Sequence, residues 1–143
     1  MNDQANIELR LRTMRMLWIA LLMTIGVYYV FTMLRGPSEG VTPNRTLSLV
    51  LLGVALSTIL ISFLIRNILL NKATEKRQVQ MVQQGYVVTW AITEVAALLG
   101  MLDFFATANR YYYLLFIIAG IGMLLHFPRR EAVLNAGFKS SVF

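Results

Sequence analysis

Four uncharged or nearly uncharged runs, each about as long as a bilayer's hydrocarbon core requires, leave this chain one solvent to fold in. Met16–Leu34 runs 19 residues between Arg15 and Arg35, and Leu47–Ile65 another 19 between Arg45 and Arg66. Tyr86–Ala106 runs 21 residues and carries two acids, Glu94 and Asp103. Tyr111–Phe127 adds 17 residues between Arg110 and Arg129, stopped by Pro128, which cannot continue a helix. Lipid offers the backbone no hydrogen bonds, so each run must be helical. A barrel strand needs only about 9–11 residues, half of what these runs contain. The expected fold is therefore all-α: an integral membrane four-helix bundle with spans 16–34, 47–65, 86–106 and 111–127.

Composition agrees. Hydrophobic residues make up 57% and charged ones 14%, against roughly 45–50% and about 25% in soluble domains. Residues 1–143 read as a single polytopic membrane domain, with an N-terminal arm over 1–15, a polar loop over 66–85 and a tail over 128–143. The arm and first run resemble a signal peptide in charge, but Tyr28, Tyr29 and Phe31 stand where small residues would precede cleavage, so an uncleaved signal-anchor helix is expected.

The net charge of +6 does not point to nucleic acid, because the cations sit at the ends of the apolar runs, where they orient a chain in a membrane. Arg10, Arg12, Arg15, Arg66, Lys72, Lys76, Arg77, Arg129, Arg130 and Lys139 lie on one side, and Arg35, Arg45 and Arg110 on the other. Ten against three predicts that both termini and residues 66–85 face the cytoplasm, in the plasma (inner) membrane. Asn44 or Thr46 is expected to start the second helix, the break between helices two and three to fall near Asn71–Thr74, and Glu75 to stand in the first turn of helix three. Thr107–Arg110 forces spans three and four into an antiparallel hairpin.

Chemistry has few places to reside. The chain has no cysteine and one histidine, His126, so no metal site and no cofactor is expected, and no nucleophile–base arrangement supports an enzyme. His126 reads as an interfacial residue. Asp103, near the outer boundary, is expected to be solvated or paired with Arg110. Glu94 lies close to the midplane of its run, where an acid costs roughly 2.5–3.5 kcal/mol on insertion scales and faces protein or water rather than lipid. Desolvation favours its neutral form. Two readings stand side by side. Glu94 is an ion or proton site, or it is a protonated anchor hydrogen-bonded to a serine, threonine or tyrosine of a neighbouring helix, with Thr24, Ser57, Thr58 and Ser62 among the candidate partners.

Beside it, Thr93, Ala96, Ala97 and Gly100 follow helical spacing and form a small-residue stripe, and Gly53 and Ser57 do the same on helix two. Such stripes let membrane helices pack closely. The segment Ala91-Ile92-Thr93-Glu94-Val95-Ala96-Ala97-Leu98-Leu99-Gly100 resembles the carboxylate helix of rotary ATP synthase proteolipids, the c-type subunits and their four-helix relatives. Lys76-Arg77-Gln78 resembles the end of their polar loop. The resemblance covers residues 47–106 and implies proton or sodium binding at Glu94. It departs from the family in helix two, where Gly53 stands without a glycine run, and in the outer helices, which do not repeat the acid. The expected function is a small non-enzymatic membrane subunit packed in a larger assembly, its partners the lipid bilayer and other membrane subunits or itself. The alternative is a proteolipid-like ion-handling subunit.

Overall fold

The computed structural model describes residues 2–36 and 40–137, and among them every regular element is a helix. Helix α1 spans Asn2–Arg35, α2 Arg45–Glu75, α3 Val79–Thr107, α4 Tyr113–Leu125 and α5 Arg130–Gly137. The first three are long and apolar enough to cross a membrane, and α4 with α5 forms a bent pair at 48° that meets the same test jointly. These are the helices of an integral membrane protein.

Local chemistry sets the boundaries. Gly36 ends α1 at φ 68°, a left-handed conformation that glycine adopts without a Cβ clash. Asn44 caps α2, its side chain accepting from the Leu47 N–H at 3.0 Å. Helix α2 continues through Asn71–Thr74, where a break was expected, because nothing there stops it. Thr74 Oγ1 bonds back to the Leu70 carbonyl at 3.0 Å, and Ala73 is buried. The break falls at Lys76–Gln78, where Arg77 turns the chain at φ 52°. Glu75 is thus the last residue of α2 rather than part of the first turn of α3. Ala108, at φ 45°, ends α3 in the same left-handed way.

The fourth run departs furthest from expectation. Turns at both ends shorten its helix to 13 residues, about 20 Å at 1.5 Å per residue against the ~30 Å of a hydrocarbon core. Residues 110–112 belong to the turn after α3, and the chain leaves helical form at His126 before Pro128.

Helix α3 is central: 44% of its apolar window is buried, against 22% in α2 and 11% in α1. It packs on α1, α2, α4 and α5, its pairing with α2 being the most extensive. Among the described residues α1 and α2 do not pack on each other, so α3 and α4 stand between them. Gly85 permits a close approach near the 76–78 turn, since a Cβ there would lie 3.1 Å from that of Leu69. The arm and tail are not free chain. Ile7, Leu11 and Met14 of α1 and Val133 and Ala136 of α5 are buried in one core, and α5 packs on α1, α2 and α3. Residues 138–143 lie outside the described residues. The outward faces of α1 and α2 are lined by exposed large apolar side chains, among them Met23, Val27, Leu60 and Leu64.

Candidate functional site

Polar side chains are costly in this setting, so their partners define what the protein can do. Glu94 sits one residue past the middle of α3. It is half-buried rather than enclosed, and its Oε1 accepts from the Tyr28 hydroxyl of α1 at 3.2 Å. The hydroxyls considered from sequence are engaged elsewhere. Thr24 bonds the Ala20 carbonyl, Ser57 that of Gly53, Thr58 that of Ala55 and Ser62 that of Ile59, each within its own helix. Serine and threonine in helices commonly satisfy themselves this way.

Asp103 is nine residues on, about 180° around the helix, and it faces α2. It is fully buried, neither solvated nor paired with the exposed Arg110. Its Oδ1 accepts from Thr107 Oγ1 at 2.7 Å, and its Oδ2 accepts from Ser48 Oγ at 3.1 Å and Asn109 Nδ2 at 3.0 Å. Asn109 Nδ2 also donates to Ser48 Oγ. The turn after α3 curls back over the acid, and its Asn109 Oδ1 accepts from the Tyr111 N–H at 3.0 Å. Both oxygens of the buried acid thus have hydrogen-bond partners within the protein. The two acids of α3 therefore act on opposite flanks, one on α1 and one on α2.

A third centre forms where α4 ends. The last carbonyls of a helix are short of intrahelical partners, and here each of the three long helices directs one donor at the carbonyls of Met123, Leu125 and His126. Trp18 Nε1 of α1 donates to the Met123 carbonyl at 2.8 Å, Arg66 of α2 to that of Leu125 at 3.3 Å, and Trp90 Nε1 of α3 to that of His126 at 3.0 Å. His126, at the end of α4, is fully buried among its neighbours; its ring lies 4.3 Å from that of Phe63, and its Nε2 is 2.8 Å from Ser62 Oγ. Ser62 Oγ also lies 2.6 Å from the Ile59 carbonyl, and His126 Nδ1 is buried without a hydrogen-bond partner among the described residues.

The predicted stripe lies inside the chain. Thr93, Ala96 and Ala97 are wholly buried, and a Cβ at Gly100 would stand 3.0 Å from that of Leu115 and 3.2 Å from the Phe116 ring. A Cβ at Gly122 of α4 would meet Thr93 Cγ2 at 3.1 Å. Gly53 and Ser57 are different. Both are exposed, and a Cβ at Gly53 would meet nothing within 4 Å, so this face of α2 has no partner within the described residues. Sequence reasoning allowed a tyrosine partner for Glu94 without singling out Tyr28, and it missed Ser48 and Asn109. The Asp103–Thr107 spacing of i, i+4 was the one local signal for the buried network. Among the described residues no three His, Asp or Glu side chains gather as a metal site would require.

Geometry thus defines an all-α integral membrane protein whose serines and threonines mostly bond within their own helices, while Glu94, Asp103, His126 and the two tryptophans link one helix to another. Comparison with family models, with curated proteins and with solved structures returns no match.

Proposed function

We propose that the chain is a small, non-enzymatic four-span membrane subunit that packs in a larger membrane assembly, with both termini in the cytoplasm. The observation that carries this reading is the Tyr28–Glu94 hydrogen bond, which turns the one mid-helix acid into a link between α1 and α3. Glu94 then serves as a protonated anchor. The outward pair Gly53 and Ser57 supplies a smooth strip of α2 against which a helix of another subunit, or of a second copy, packs closely.

The test is native mass after gentle detergent extraction. The subunit reading expects co-purifying chains or a defined oligomer, and expects Gly53→Leu to release them while the chain itself folds, because open space surrounds that position. A monomer in both variants overturns it.

One observation favours the second reading, a proteolipid-like proton or cation-handling subunit: Glu94 is half-buried and retains an outward side on which an ion path from a partner would open. Loss of function in Glu94→Gln with assembly intact separates this reading from the anchor.

A further inference from the structure

Helices α2 and α4 meet at one end and diverge at the other. Near the end of α4 they are joined by the Ser62–His126 contact, and a Cβ at Gly122 would lie 2.7 Å from Ile59 Cδ1. Toward the start of α4 they part around a groove of about 640 Å³, within the roughly 300–1,000 Å³ of small-molecule sites. Its composition changes along its length. Arg45, in the first turn of α2, and Arg110, in the turn before α4, stand at the mouth, and both are exposed. Leu49, Leu52, Leu114 and Leu115 line the walls below.

Among the described residues no acidic side chain lines this groove. Asp103 lies behind Ser48 and Asn109, its two oxygens accepting from Ser48, Thr107 and Asn109. The first turns of α2 and α4 hold no acid either. Leu52 is seven residues beyond Arg45, roughly 10 Å along the helix, so the charged mouth and apolar wall are separated as a lipid's phosphate and acyl chain are. Among the described residues Arg35, Arg45 and Arg110 are the cations beside the α1–α2 and α3–α4 connections, and two of them line this one groove.

We propose that the groove binds one anionic phospholipid of the surrounding bilayer, its phosphate between Arg45 and Arg110 and an acyl chain along Leu49, Leu52, Leu114 and Leu115. A cation near an anionic lipid surface strengthens binding about fivefold. A free phosphate uses only the mouth, whereas the lipid uses the walls as well. The site rests on the chain being a membrane protein and not on the role of Glu94 or on the Gly53 face. Failure here leaves those readings intact.

The experiment uses the full chain in mild detergent, offered phosphatidylglycerol and phosphatidylcholine in equal amounts, with retained lipid counted by native mass spectrometry. The expected result is retention of one phosphatidylglycerol in preference to phosphatidylcholine. The preference falls about fivefold in Arg45→Gln and again in Arg110→Gln, and Leu52→Trp, which fills the wall, lowers retention of both lipids. Both arginines are exposed, so the glutamine variants are expected to fold, with helix content as the check. A photoreactive residue at the exposed Leu49 is expected to label lipid. The proposal is overturned if the double glutamine variant keeps its preference, if inorganic phosphate displaces the lipid while Leu52→Trp has no effect, or if Leu49 labels a polypeptide.

Discussion

Glu94 illustrates how one residue's chemistry divides two explanations of the whole molecule. Its bond to Tyr28 at 3.2 Å has the tyrosine as donor, so the carboxyl takes part through shape and acceptor capacity. An amide offers the same acceptor, and Glu94→Gln is expected to leave assembly and thermal stability almost unchanged if the residue is an anchor. Glu94→Leu strands the Tyr28 hydroxyl at the helix seam. Hydrogen bonds between membrane helices average about 0.6 kcal/mol and reach about 1.7, so the expected loss is small but measurable in a detergent unfolding titration. A hydrophobic carbodiimide, which reacts with neutral carboxyls, is expected to label Glu94 in preference to Asp103, whose two oxygens already accept three hydrogen bonds. Labelling of Asp103 instead would mean that its network opens in the membrane and that the description of that end is wrong.

Between elements, α4 is the short helix on which α1, α2 and α3 all pack. It places small residues on the faces that touch them. Two of its glycines make opposite predictions. A Cβ at Gly122 would come within 2.7 Å of Ile59 Cδ1 and 3.1 Å of Thr93 Cγ2, whereas one at Gly120 would meet nothing within 4 Å. Alanine gains up to about 1 kcal/mol of helix propensity over glycine at either site, but overpacking a tight interface costs about 1–3 kcal/mol. Gly120→Ala is therefore expected to be neutral or slightly stabilising, and Gly122→Ala destabilising by about 1–2 kcal/mol. Thermal unfolding of the two variants in one detergent decides this. Equal behaviour would show that α4 does not press against α2.

At the scale of the molecule, cation placement predicts an orientation that cysteine labelling can check in a chain with no cysteine of its own. Cysteine at the exposed Thr42 is expected to react with an impermeant thiol reagent in intact cells, and cysteine at the exposed Thr74 only after lysis. The reverse pattern would invert the molecule. Helix content and the three long apolar helices were legible in the sequence because run length and flanking charge are local properties. The limits of the fourth helix were not, since Tyr111 and Tyr112 are apolar enough to prolong the run yet are drawn into the turn that closes over Asp103. Asp103 itself misled for the same reason. Its distance from the helix end suggested water or Arg110, while the partners that bury it, Ser48 and Asn109, stand 55 residues before and 6 after it. Glu94 was identifiable as the odd acid in the membrane, but which helix would answer it depended on α1 and α2 lying on opposite sides of α3 and α4.

The end of α4 has an optical consequence. The chain holds two tryptophans, and both indoles donate to carbonyls between Met123 and His126. All indole emission from the unlabelled protein therefore originates around one junction, so its colour and intensity report the seating of α4 and little else. Trp90 is wholly buried and Trp18 only half-buried, so bromine-bearing lipids reach the second indole and are shielded from the first. The ratio of quenched to unquenched light then reads whether α1 has come away from the junction while α3 still holds it, without any dye attached.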